Sequence, residues 1–349
     1  MKTNRSDSSR RQFLQSAGLL AVLAPFARLR LPGSNILKPP RLRPGDTIGL
    51  INPAGATFET TDIKIVEETL AALGLGFKLG RHVLDRYGYL AGTDEHRAED
   101  VNEMFGDASV AGILTVRGGW GCARILPLLD YDLIARHPKV LMGYSDVTAL
   151  LVGIYAKTGM VTFHGPVGIS TWNNFSTTYV REVLMEGQAV TFRNPVNLGD
   201  NLAQTQDRVQ TITGGTTRGR LAGGNLSVLC GIVGSAYLPD WKDHILFVED
   251  DGEKIYRIDR MLTQLQLAGI LKTVTGFIFG KCTKCEPGDD YGSLTLEEVL
   301  KDHIKPLGVP AWYGAMIGHI ENKFTIPIGI EAEIDADQGT IRMLEPAVE

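Results

Sequence analysis

Between about residues 45 and 165, short apolar runs closed by glycine or proline alternate with segments of helical spacing, and this alternation constrains the fold most. Thr47-Ile48-Gly49-Leu50-Ile51, Gly112-Ile113-Leu114-Thr115-Val116 and Val140-Leu141-Met142-Gly143 read as buried parallel strands, because such strands are covered on both faces. Residues 62–73 space Ile63, Val66, Leu70 and Leu73 along one helix face and stop at Gly74. Thr93 caps a second helix through Phe105, residues 122–129 start a third, and residues 147–155 carry the helix after the Val140 strand. The pattern predicts an N-terminal α/β domain with a doubly wound, mostly parallel sheet.

Residues 171–217 lose the apolar period and are rich in Asn, Thr, Gln and Gly, as a linker with one or two exposed strands would be. A second apolar section begins at Leu221. It reads as a helix over 226–233, a buried strand over 245–248, an amphipathic helix over 256–267, a strand over 274–279 and a helix over 296–304. Short strands near Met316 and Ile334 complete a smaller α+β domain of the swivelling type. The chain is thus divided into a leader (1–40), an N-terminal domain (41–168), a linker (169–217) and a C-terminal domain (218–349). Its 349 residues, 44% of them hydrophobic, suffice for two domains and a sizeable core. The formal net charge of −5 leaves no basic face for nucleic acid.

Ser9-Arg10-Arg11-Gln12-Phe13-Leu14 precedes an apolar run from Ala17 to Ala27, the order of a twin-arginine export signal. The run is short for a bilayer span, so the signal predicts export to the periplasm without stable membrane insertion. Cleavage after Ala27 is poorly specified, because Pro25 spoils a small-residue site. Without a working signal the protein stays in the cytoplasm.

Gly143-Tyr144-Ser145-Asp146-Val147 ends one strand on a serine and opens a helix, the layout of a nucleophile elbow. Val147 stands where the familiar pattern has a second glycine, and Ser145 also fits a plain helix cap. A serine nucleophile needs a base, itself oriented by a third group. Of seven histidines, His82, His96, His137, His244 and His303 lie in polar surroundings and read as surface residues. His164 and His319 follow apolar runs; Gly318 gives His319 the backbone freedom that places it slightly ahead. Glu249, at the end of the strand over 245–248, is positioned to orient a base or to lie in a solvated acidic turn. Arg117-Gly118-Gly119-Trp120-Gly121 follows a strand and supplies N–H donors suited to half an oxyanion hole. It lacks the spacing of a nucleotide loop. Cys282 and Cys285 are spaced for a disulfide after export, or remain two thiols. Zinc would need two further ligands that Glu286 alone does not supply.

Taken in order, Tyr89-Leu90-Ala91-Gly92-Thr93, Arg117 to Gly121, Gly143 to Thr148, Gly223-Gly224-Asn225-Leu226, Leu246-Phe247-Val248-Glu249-Asp250 and Gly318-His319 resemble the LD-carboxypeptidases, or muramoyltetrapeptide carboxypeptidases, whose relatives include the microcin C immunity proteins. The resemblance runs from about Arg41 to Leu344, with Trp120 in place of an expected tyrosine. It implies Ser145 as nucleophile, His319 as base and Glu249 as its orienting acid, with oxyanion donors at the N–H of Asp146 and of Gly118 or Gly119. It implies hydrolysis of the bond between the L-centre of a diamino acid and a terminal D-alanine in a muropeptide, without metal or cofactor. Arg117 is the candidate clamp for the substrate carboxylate; Trp120 and Trp172 are candidate pocket walls. A homodimer is expected. An immunity-type amidase acting on a peptidyl-nucleotide and a non-catalytic peptidoglycan-binding protein are the alternatives.

Overall fold

The computed structural model describes residues 36–287 and 292–349. The twin-arginine segment and the Ala27 cleavage point lie outside the described residues. Among the described residues, no helix is long and apolar enough to cross a membrane.

The N-terminal half follows the expected alternation: β1 (Thr47–Ile51), α1 (Thr60–Ala72), β2 (Gly76–Leu79), α2 (Asp94–Gly106), β3 (Gly112–Thr115), α3 (Cys122–Ile125), α4 (Tyr131–Arg136), β4 (Val140–Gly143), α5 (Thr148–Thr158) and β5 (Thr162–His164). β3 and β4 are buried along their whole length, as two-faced strands must be. α1 buries Ile63, Val66 and Leu70, and the Thr93 hydroxyl caps α2 by accepting the His96 N–H at 3.2 Å. β2, a mostly exposed edge strand, has no apolar signature and was not legible in the sequence.

The segment expected as a linker does more than connect. It forms α6 (Asn174–Val180), β6 (Thr191–Arg193) and β7 (Gln210–Thr213). Its Phe175, Tyr179 and Phe192 rings pack on Phe324 at centroid separations of 5.1–5.8 Å. The C-terminal half continues with β8 (Thr216–Asn225), α7 (Leu226–Gly231), β9 (His244–Asp251), α8 (Ile255–Leu267), β10 (Gly276–Thr283), α9 (Leu296–His303), β11 (Ala311–Tyr313), β12 (Ile326–Ile328), β13 (Glu331–Asp335) and β14 (Thr340–Met343). The strand expected near Met316 is instead a loop beside β10, where the Ile317 carbonyl accepts the Lys281 N–H at 2.8 Å.

Two sheets result. The first has the order β12-β5-β4-β3-β1-β2, with β2, β1, β3, β4 and β5 parallel and β12 antiparallel. The second has the order β6-β14-β13-β8-β9-β10-β11-β7, with β8 to β11 parallel at its centre. The second sheet is the wider because β6 and β7 supply its two edges. β12 is the exception to a simple division into halves. After β11 the chain crosses to the first sheet, where Ile326 pairs with His164, and then returns: the Gly329 N–H donates to the Leu221 carbonyl at 2.7 Å before β13 begins. The loop that carries His319 lies on this crossing, held at both ends by backbone ladders. Ligand sites of parallel sheets form at the carboxyl ends of strands, and those of β3, β4, β5, β8 and β9 carry the residues described next.

Candidate active site

Ser145 directly follows Tyr144 at the carboxyl end of β4 and adopts φ 64°, a left-handed conformation rare outside glycine. Such a backbone costs about 1–3 kcal/mol and persists where its surroundings over-determine it. Here they do. Val147 is fully buried and packs against Gly143, where a side chain would meet Val147 Cγ1 at 2.8 Å. Val147 thus occupies the position of the missing second glycine, and the tight approach is made at Gly143.

The glycine loop after β3 lies against this turn. A Cβ on Gly118 would come within 2.9 Å of Ser145 Cβ and 3.1 Å of its Oγ, so any side chain there displaces the serine. Among the described residues, the N–H groups of Gly118 and Gly119 make no hydrogen bond and remain available as donors. Three contacts fix the loop. The buried Asp146 carboxylate accepts the Cys122 N–H at 2.8 Å; the Gly118 carbonyl accepts the Gly55 N–H at 3.2 Å; and Arg97, 1% exposed, donates to the carbonyls of Pro53 (2.5 Å) and Gly121 (3.0 Å) while pairing with Asp94. Burial raises the Asp146 carboxyl above its ordinary range, against the hydrogen bond from Cys122 that lowers it.

Glu249 lies inside β9 rather than at its end and is 0% exposed, so the solvated-turn alternative fails. Its Oε2 is 2.8 Å from His319 Nδ1, and its Oε1 is 3.3 Å from Asn225 Nδ2. His164 Nε2 lies 3.8 Å from Oε1, too far for a hydrogen bond, so this second imidazole acts on the carboxylate through space. Burial alone would raise the Glu249 carboxyl; His164 and His319 outweigh it and hold the group near 2. Burial pulls the His319 imidazole down, but its hydrogen bond and attraction to Glu249 prevail, and its pKa is raised. Gly318, at φ 131°, permits this approach, since a Cβ would stand 3.0 Å from Glu249 Oε2.

Exposure separates the two candidate bases. The His164 side chain is 3% exposed and that of His319 is 21%, so His319 is the imidazole that solvent and a substrate can reach. Tyr144, next to Ser145, meets the His319 ring edge-on at 4.8 Å. The structure joins Glu249 to His319 and sets Tyr144, the residue before Ser145, against the His319 ring, but among the described residues no hydrogen bond links the serine hydroxyl to His319. Such bonds are often open without substrate.

Arg117 donates to the Ala56 carbonyl at 3.1 Å and, among the described residues, has no carboxylate partner. Trp120 is 68% exposed and meets Tyr89 edge-on at 6.0 Å. Trp172 is half-buried, and its indole N–H donates to the carbonyls of Val167 (3.2 Å) and Gly168 (2.9 Å); it braces its own loop. His244, expected at the surface, is buried between the Tyr155 hydroxyl (2.9 Å) and the Lys242 carbonyl (2.8 Å). Cys282 and Cys285 form a disulfide at the end of β10, where the Thr283 hydroxyl donates to the His319 carbonyl at 3.2 Å.

Three residues were given no role by the sequence, although Asn225 stands in the Gly223–Leu226 motif. Asn225 caps α7 and places its amide between Glu249 and Asp250 (3.2 Å). Arg97 looked like an ordinary helix charge. Lys323 is 4% exposed with its ammonium 4.4 Å from the Tyr144 ring, and burial pushes its pKa down to about 8.

A two-sheet α/β frame with a left-handed serine, a buried carboxylate–imidazole pair and an open glycine loop has the parts of a hydrolase. The family models for the LD-carboxypeptidase N-terminal and C-terminal domains match residues 48–165 and 218–334. The probable murein peptide carboxypeptidase of Bacillus subtilis (strain 168) is 36% identical over 311 residues, covering 87% of this chain and 93% of that protein. The murein tetrapeptide carboxypeptidase of Pseudomonas aeruginosa is 32% identical over 301 residues, covering 83% and 94%. Among solved structures, MccF in complex with glutamyl sulfamoyl guanosine superposes with a TM-score of 0.80 at 28% identity, covering 90% of this chain and all of that one. The chain belongs to the LD-carboxypeptidase family, and it is a carboxypeptidase of that family.

The geometry generates a test that needs no substrate. In wild type the His319 imidazole titrates above the ordinary histidine value. Glu249→Gln removes the attraction and leaves the burial, so the titration moves below that value. Histidine-resolved NMR across pH reads both; an unmoved His319 resonance contradicts the pairing.

Proposed function

We propose that this protein is a serine-type LD-carboxypeptidase releasing the terminal D-alanine from muropeptide tetrapeptides. The observation that carries the reading is the Glu249–His319 pair, whose imidazole packs on Tyr144, the residue before the left-handed Ser145. With Nδ1 engaged by Glu249, His319 Nε2 accepts the serine proton as Oγ attacks the scissile carbonyl. The oxyanion that forms is received by the N–H groups of Gly118 or Gly119 and of Asp146. Collapse breaks the amide bond, His319 returns the proton to the leaving amine, and D-alanine departs. Water, deprotonated by His319, then cleaves the ester on Ser145. Arg117 and Lys323, two cations that form no salt bridge among the described residues, are suited to hold the substrate's terminal carboxylate. Trp120 forms an exposed wall, whereas the inward bonds of Trp172 give it no such role.

Incubation of muropeptide tetrapeptide with the protein, read by mass spectrometry, releases D-alanine; Ser145→Ala lowers the rate by about 10⁴-fold or more. Equal release by the alanine variant defeats the serine mechanism. The pH dependence has two limbs. kcat/KM rises as His319 loses its proton, at a pH above the ordinary histidine value, and falls as Lys323 neutralises near 8. Lys323→Met removes the upper limb if Lys323 holds the carboxylate, and an unchanged profile excludes it from that task.

The superposition on MccF with its sulfamoyl nucleoside favours a second reading, an amidase for a peptidyl-nucleotide. Turnover of that substrate in place of tetrapeptide would select it. We also propose that the Arg10-Arg11 signal exports the enzyme, so that its substrate is periplasmic wall or its fragments. Arg10→Lys with Arg11→Lys then retains the protein in the cytoplasmic fraction; unchanged fractionation rejects the export reading.

A further inference from the structure

We infer that His82, Asp85 and His96 form a binding site for a divalent transition-metal ion of the zinc class, separate from the residues of the Ser145 site. All three read as unremarkable in the sequence, but the fold gathers them. Asp85 follows His82 by one turn of chain, its N–H donating to the His82 carbonyl at 2.9 Å, and His96 projects from the first turn of α2. Nδ1 of His82 and Nδ1 of His96 each lie 2.8 Å from the same oxygen, Asp85 Oδ2. The two rings stack at 3.9 Å, and the three candidate ligand atoms lie within 4.8 Å of one another.

The surroundings match a metal site beyond the three ligands. A metal-bound histidine ordinarily gives its other ring nitrogen to a carboxylate, which fixes the ring and raises its basicity. His82 Nε2 is buried without a hydrogen bond and faces Glu99 Oε2 at 3.3 Å. The His82 backbone is also fixed, its N–H directed at the Asp100 carboxylate at 3.1 and 3.2 Å. Two imidazoles and one carboxylate suit zinc or a neighbouring first-row ion, and exclude calcium and magnesium, which prefer all-oxygen shells. Ligands at zinc distances stand about 3.3 Å apart along a tetrahedral edge, so the 2.8 Å pairs must open by about 0.5 Å. Asp85 and His96, 39% and 44% exposed, have the room to give it.

The site closes the loop from Asp85 to His96, which carries Tyr89. Tyr89 touches Trp120, and its carbonyl accepts the Ala56 N–H at 3.0 Å. A bound ion therefore ties α2 to the base of a loop at the rim of the active site, and it stabilises the folded chain, because the unfolded chain has no such site.

Isothermal titration of the metal-stripped full chain with Zn²⁺ tests the inference. One ion binds per chain at micromolar or tighter Kd, the melting temperature rises with Zn²⁺ concentration, and Co²⁺ in its place gives visible d–d bands. His96→Ala and Asp85→Asn abolish this binding while retaining the circular dichroism of the metal-free wild type. Glu99→Gln weakens it about ten- to hundredfold. His303→Ala, which breaks a separate histidine–aspartate pair with Asp259, leaves it intact. Absence of saturable Zn²⁺ binding, or binding undiminished in His96→Ala, overturns the assignment.

Discussion

A carboxylate removed from water costs several kcal/mol unless charge and hydrogen bonds replace what water supplied. Glu249 is removed completely, and much of the architecture answers that demand. β8 runs beside β9 in a register that sets Asn225 opposite Glu249; β5 brings His164 to 3.8 Å from one oxygen; the crossing loop brings His319 into hydrogen bond with the other. The same set of contacts leaves His319 as the partly open member. A structural necessity, neutralising one buried acid, and a chemical one, holding an imidazole in one tautomer, are met by the same groups. Asp250, next along the strand, is held by Ser227 and Asn225 instead, and burial with the neighbouring Glu249 charge raises it to about 6.

The nucleophile side is organised by backbone rather than charge. A serine in a left-handed conformation needs neighbours that leave it no alternative. Gly143 and Val147 fix it from within the sheet, and Gly118 from the loop above. Asp146 and Arg97 then lock that loop to the turn and to the strand end after β1. Each of these positions tolerates little: a single added methyl at Gly118 reaches the serine, and loss of the Arg97 guanidinium frees two loops together.

Local patterns carried the parallel strands β1, β3 and β4, the helices α1, α2 and α8, and the Thr93 cap, because burial and capping write themselves into consecutive residues. The Ser145 turn, Glu249 and His319 were legible as candidates, although periodicity could not decide between His164 and His319; exposure decided it. β2 and β12 were not legible, and β6 and β7 were legible only as one or two exposed strands without positions, since short edge strands owe their conformation to the partner they meet. Arg97, Asn225 and Lys323 look like ordinary polar residues until the fold buries them, and His244 was misread for the same reason. The Cys282–Cys285 spacing allowed several outcomes, and tertiary placement at the end of β10 settled the pairing.

β12 has a consequence for how this protein can be divided. Three residues from the far end of the chain complete the sheet of the first half and cover the edge of β5. A polypeptide ending after residue 168 would contain the five parallel strands yet present β5 as an open edge, with Phe163 and His164 stripped of their β12 partners and free to recruit strands from other molecules. Two halves synthesised apart would have to trade this strand before either was whole. The described residues therefore form two sheets tied together by β12, and a gene split after residue 168 leaves one piece with an open β5 edge prone to aggregate.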